Sequence, residues 1–246
     1  MITEVCCQSL EDCVLSDSYG ADRIELNSAS YLGGLTPSPG LIDKCVDFTD
    51  ADIIAKIRPR PAGFFYSDLE IETMIREIEI LSKTKVSGFS FGILNKDLTI
   101  SQRNKDLVDL AKSYNKTCTF HRAFDNTVNI EEALEKIIDL GFDRVLTSGG
   151  SDRASNGVEN LKKLYDLAAG RIEIVAAGKV RADDIREIYE KTGINQFYTS
   201  CKGFRQDPTT IAGVDFSYID SSDKYDLVDE KVLDDFFSVI SGIEED

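Results

Sequence analysis

Basic charge is the minority in this sequence. Over 246 residues, 28 lysines and arginines stand against 44 aspartates and glutamates, a formal charge of −16. A surplus of that sign repels nucleic acid and anionic membrane surfaces, which are excluded as general partners. Long apolar runs are missing too, since no stretch approaches the ~18 consecutive apolar residues of a spanning helix. The start, M-I-T-E-V-C-C, lacks the basic and apolar regions of a secretory leader. No Gly/Ser- or Pro-rich linker interrupts the chain, so one domain over residues 1–246 is expected, long enough to bury a large core. No G-x-G-x-x-G follows the first strand and no Walker A sequence occurs anywhere, which removes the two common nucleotide signatures. Six cysteines without a leader read as reduced thiols in a cytoplasm rather than three disulfides. Histidine is nearly absent, and His121 is the only one.

What is present is a regular alternation of strand and helix. Apolar strand-like runs occur at Thr3–Ser9, Arg23–Ser28, Ile53–Pro59, Gly88–Leu94, Thr117–Asp125, Arg144–Ser148, Ile172–Ala177 and Gln196–Ser200, the fifth ending in polar, titratable groups. Helical periodicity follows them, for example in Leu69–Lys83 with Ile71, Ile75, Ile78 and Leu81, for which Asp68 is the expected cap. Ser101 is expected to cap the helix carrying Leu107, Leu110 and Ala111. A last helix is expected over Asp229–Ile240. Eight strand–helix units over this length predict an α/β fold of the (β/α)8 barrel type, with an open doubly wound sheet as the alternative.

Side chains alternate along a strand, so parity tells which residues share a face. With Val5, Ile24, Leu26, Ile57 and Phe120 turned to the helices, Glu4, Cys6, Glu25, Asn27, Lys56, Arg58, Arg60 and His121 turn inward. Buried charges must pair with one another or serve a ligand. Glu4, Glu25, Arg58 and His121 are therefore expected at the carboxyl ends of the strands, where such barrels place their sites. Arg58 and Arg60, two apart, are expected to grip one carboxylate or phosphate from the same side. His121 is the candidate acid/base group, with an ordinary pKa near ~6.5, and Glu25 either orients it or acts as the base. Arg122 and Asp125 directly follow it. Ser148 ends the sixth strand, while Gly178, Lys179 and Ser200 lie in loops suited to an anion. Lys56 and Lys179 are the nearest candidates for a reactive amine.

The thiols carry a second chemistry. Soft thiolates suit Cu(I), yet adjacent Cys6 and Cys7 on a strand point to opposite faces, and C-C-x5-C is not a zinc spacing. Cys45 and Cys118 read as core residues.

Several segments together resemble the CutC family: G-A-D-R-I-E-L (20–26), G-G-L-T-P-S (33–38), I-R-P-R (57–60), F-Y-S-D (65–68), F-H-R-A-F-D (120–125), R-V-L-T-S-G (144–149) and the Cys6–Cys7 pair. The resemblance implies a cytoplasmic (β/α)8 barrel bearing a copper-homeostasis name, with copper thiols mapping onto Cys6, Cys7 and Cys13. Two positions depart from the family pattern. Tyr198 stands in F-Y-T-S where a histidine is frequent, and Lys179 stands in a turn that is usually small and Gly-rich. Two functions follow as expectations: a Cu(I)-binding protein using Cys6 and Cys7, or an enzyme acting on a small anion. The partners expected are such an anion or Cu(I), and further copies of the chain in a homodimer or larger homo-oligomer.

Overall fold

Eight short parallel strands close on themselves, each hydrogen-bonded to the next and the last to the first. They are β1 (Ile2–Cys7), β2 (Arg23–Leu26), β3 (Asp52–Lys56), β4 (Gly88–Phe91), β5 (Thr117–Phe120), β6 (Arg144–Thr147), β7 (Glu173–Ala176) and β8 (Gln196–Thr199). In register, Glu4 of β1 faces Arg23 on one side and Tyr198 on the other, which seals the barrel. The computed structural model describes residues 1–210 and 224–244. Among the described residues the α-helices are α1 (Leu10–Ser18), α2 (Pro39–Phe48), α3 (Asp68–Leu81), α4 (Asn104–Ser113), α5 (Ile130–Leu140), α6 (Val158–Ala168), α7 (Ala182–Thr192) and α8 (Glu230–Glu244). The chain thus forms the expected (β/α)8 barrel.

Two apolar clusters follow from strand alternation. The outer one joins Val5, Ile24, Leu26, Phe120 and Phe197 to helix residues such as Ile42, Met74, Leu134 and Ile185. A small inner one holds Leu146, Val175 and Ala177, with Tyr198 packed on it. Much of the remaining lumen is polar. Arg23 Nε donates to Glu4 Oε2 at 2.8 Å and its Nη2 to Gln196 at 2.6 Å. Arg144 Nη1 donates to Thr119 at 3.3 Å, and its Nε lies 3.2 Å from Glu173. These pairs compensate the desolvation of charges taken out of water.

Local differences from expectation have local causes. Ser67, not Asp68, caps α3, because Ser67 and Glu70 close a reciprocal capping box. Helix α4 starts at Asn104 rather than after Ser101, since the Asn104 side chain is tied to Ile93 and to the Ser101 carbonyl. Helix α8 runs to Glu244, its apolar face extended by Ile243. An antiparallel hairpin, β9 (Lys202–Gln206) and β10 (Lys224–Val228), follows β8 and was not anticipated. It returns to the barrel through Asp226, which is bonded to Lys202 at 2.8 Å and to Ser30.

Candidate functional site

At the carboxyl ends of the strands lies a cavity of about 310 Å³. Its wall includes Lys56, Arg58, Arg122, Lys179 and Lys202, and no aspartate or glutamate among the described residues. His121, Cys6, Asn27, Phe64, Gly178, Tyr198 and Ser200 complete most of it.

His121 follows the last residue of β5 and is buried. Its ring packs on Phe64 with centroids 4.9 Å apart. Nδ1 accepts the backbone N–H of Ala123 at 3.2 Å, so the neutral ring carries its proton on Nε2. That Nε2 has no partner among the described residues. Burial, then the positive charges of Lys56 and Arg58, hold the imidazole well below its usual pKa. At neutral pH it is an uncharged donor at a cavity wall. This corrects the expectation of a proton shuttle titrating near neutrality.

Arg58 lines the cavity, but its fork is committed to loop backbone. Nη1 donates to the carbonyls of Leu32 and Gly34 at 3.0 and 3.2 Å, Nη2 to that of Ala62 at 2.5 Å, and Nε is left without a partner. The guanidinium also covers the Phe64 ring at 5.1 Å. The G-G turn makes room: a Cβ on Gly33 would lie 2.7 Å from Arg58 Nη1, and its φ of +87° favours glycine. Arg60 does not join Arg58. It turns away to Glu70 and the Tyr66 ring, outside this cavity, so the two forks do not address one anion. The ladder ends at Lys56, and alternation lapses in the Pro59–Arg60–Pro61 segment.

Glu25 lies beneath the wall rather than in it. Its Oε2 accepts Lys56 Nζ at 3.0 Å and the Tyr198 hydroxyl at 2.6 Å. Burial pushes this carboxyl up, but Lys56, Ser90 and Tyr198 together pull harder and the net shift is downward. The Tyr198 hydroxyl is itself pushed well above its usual range, by burial first. Glu4 sits one interior layer further from the mouth, held by Arg23, and does not line the cavity. The expectation that Glu4 reaches the mouth is corrected by its position two residues before Cys6 on β1.

Arg122 reaches the wall with its Nε on Asp125 at 2.8 Å and its Nη2 on Ser148 at 2.9 Å. Asp125 also accepts Thr147 Oγ1 at 2.6 Å and the N–H groups of Ser148 and Gly150. Asp125 and Ser148 therefore stand behind Arg122 and fix the β6 loop rather than facing the cavity. Gly178, with φ +99°, is required here because a Cβ would lie 2.8 Å from Arg122 Cζ. Lys179 is exposed and makes no ion pair with a described residue. Parity turns Lys56 inward, as observed, whereas Tyr198 stands out in the sequence only as a departure from the family pattern. Their shared carboxylate has no sequence signal, because it joins β2, β3 and β8 across the lumen.

The sequence profile of the CutC family matches residues 1–203. The chain belongs to the CutC family. Curated CutC-family proteins are similar over most of its length: that of Treponema denticola is 40% identical over 216 residues, covering 87% of each chain. That of Vibrio cholerae is 43% identical over 203 residues, covering 82% of this chain and 80% of its own. The crystal structure of CutC from Streptococcus agalactiae, which carries a copper-homeostasis name, superimposes with a TM-score of 0.76 at 28% identity, over 80% of this chain and 97% of that one.

For a CutC-family chain the thiols bear directly on that name. Cys6 faces the lumen, where Asn27 Nδ2 donates to its sulfur at 3.1 Å. Cys7 faces the outer core, 3.4 Å from Ser16 Oγ on α1, and Cys13 lies against Cys7 and Cys45 in that core. Cys6 and Cys7 thus stand on opposite faces of β1 and do not converge on one ion. Burial, then Glu25, pushes the Cys6 thiol up to about 12, so it holds its proton at neutral pH. Among the described residues no group of three His, Cys, Asp or Glu side chains is placed to hold a metal.

Proposed function

We propose that this CutC-family chain binds a small carboxylate or phosphate at the barrel mouth and acts on it there. On this reading the chain does not carry Cu(I) on paired thiolates, because Cys6 and Cys7 stand on opposite faces of β1. The observation carrying this reading is the cavity wall itself, in a chain of formal charge −16: five cations line it, of which Lys56, Arg122 and Lys202 are held from behind by Glu25, Asp125 and Asp226, while Lys179 and Arg58 pair with no carboxylate of a described residue. A wall of one sign against the overall balance draws in the opposite charge. Lys179, Arg122 and Lys202 address the anionic group from the β6–β8 side. His121, buried at the wall and uncharged at neutral pH, adds a dipole rather than a titrating charge to the site. Lys56 and Tyr198, joined through the Glu25 carboxylate beneath them, form the proton-bearing pair on the opposite wall. Six free thiols suit the reducing cytoplasm in which we place this activity.

Calorimetric titration with phosphate and with small mono- and dicarboxylates tests the reading. Lys179→Ala is the informative variant, because Lys179 holds no other element, whereas Arg58→Ala would free three loop carbonyls. Loss of one charge-assisted contact should weaken binding roughly tenfold. No binding by any anion, or equal affinity in Lys179→Ala, refutes it.

A further inference from the structure

Three amines line the mouth cavity, on Lys56, Lys179 and Lys202, and their settings differ. Lys179 is exposed in the loop after β7. Lys202 is held by Asp226 at 2.8 Å and lies over the Phe204 ring of its own hairpin. Lys56 is the last residue of β3, turned into the lumen and 8% exposed. Its stem runs close under the G-G turn, where a Cβ on Gly34 would lie 3.1 Å from Lys56 Cδ.

The neighbours of Lys56 set it apart from the other two. One oxygen, Glu25 Oε2, accepts both its ammonium at 3.0 Å and the Tyr198 hydroxyl at 2.6 Å. A carboxylate shared by an amine and a hydroxyl gives protons a route from nitrogen to a ligand oxygen. Arg58, two residues on, lines the same cavity, and a neighbouring cation is a recurring feature of lysines that attack carbonyls. In the closed ring of eight strands, β3 and β7 stand on opposite sides. A ligand with its anionic end at Lys179 therefore turns its other end toward Lys56. A cavity of about 310 Å³ limits that ligand to a compact molecule.

We infer that Lys56 is a nucleophile that forms an imine with a small anion bearing an aldehyde or ketone group. This rests on the anion-site reading above and assigns the ligand's other end. In the step, the Lys56 ammonium gives a proton to Glu25, and the amine lone pair bonds to the carbonyl carbon while the C=O π pair moves to oxygen. Two protons in all pass from nitrogen to that oxygen through Glu25 and the Tyr198 hydroxyl. The C–O bond then breaks and water leaves. The product is an iminium, which carries the charge that the ammonium carried. Glu25 thus keeps a cationic partner, and no buried charge is stranded. The iminium draws electrons from the adjacent carbon and prepares it for loss of a proton or of a carbon fragment.

Borohydride trapping in the full chain tests this, with the adduct located by peptide mass mapping. Pyruvate and dihydroxyacetone phosphate serve as anionic carbonyls and dihydroxyacetone as the neutral one. With at least one anionic carbonyl, Lys56 should be labelled about tenfold or more above any other lysine, because the cavity holds amine and carbonyl together. Dihydroxyacetone should label it weakly. Lys56→Arg, which leaves Glu25 a cation but no attacking amine, should lose the adduct. Tyr198→Phe should keep the adduct on Lys56 and slow its formation about tenfold or more. The wild-type map decides the question even where a variant fails to fold. If the anionic carbonyls bind by calorimetry yet neither labels Lys56, or if label spreads over exposed lysines as in the unfolded chain, the nucleophile is overturned and the anion site stands. Equal labelling of Lys56 by dihydroxyacetone overturns the anion reading and leaves the nucleophile. Neither binding nor adduct overturns both.

Discussion

The Lys56 ammonium and the Glu25 carboxylate meet at 3.0 Å in the wall and floor of the mouth cavity, with the carboxylate side chain fully buried. Removing one member strands the other charge. Lys56→Met should cost about 3–5 kcal/mol in chemical denaturation. Adding Glu25→Leu to that variant should recover more than half of the loss, since an apolar pair of similar volume carries no stranded charge. A double variant as unstable as the sum of the singles would mean the pair does not act as a unit.

The depressed pKa of His121 makes a signed pH prediction. The unfolded histidine takes a proton near its ordinary value of 6.5, while the folded one, kept neutral by burial and by Lys56 and Arg58, does not until well below it. The unfolded state therefore binds the extra proton first, and native stability falls as pH drops through about 6.5. His121→Gln lacks this linkage. Stability of wild type minus that of the variant should be flat above pH 7.5 and decline below about 6.5, by at most about 1.4 kcal/mol per pH unit. Parallel pH profiles for the two proteins would count against the buried neutral ring.

Copper gives a third prediction. With Cys6 and Cys7 on opposite faces of β1, anaerobic Cu(I) titration should show no site that both thiols build. Cys6→Ser, alone or with Cys7→Ser, should leave Cu(I) affinity unchanged within a few-fold. The Cys6 thiol, pushed up to about 12, should also alkylate slowly at pH 8 compared with the unfolded chain. Stoichiometric, tight Cu(I) binding lost in the double variant would return copper carriage to this chain.

Strand alternation accounts for what was legible in the sequence. Glu25, Lys56 and His121 each sit beside apolar residues of opposite parity, so their inward facing follows from the pleat. Legibility ends where the ladder ends. Arg60 lies beyond β3 in a proline-bounded segment, where nothing in the pattern says that its fork will meet Glu70. The hairpin β9–β10 was hidden for a different reason. K-G-F-R-Q and K-Y-D-L-V are charged, weakly alternating and separated by residues 207–223, with no tight-turn signal between them.

The most direct test of the anion site is the anomalous scattering of tungstate soaked into crystals of the protein. A single strong peak is predicted at the barrel mouth, beside the Lys179 side chain and weakened in Lys179→Ala. An empty mouth, with tungstate only on surface lysines, would contradict the account.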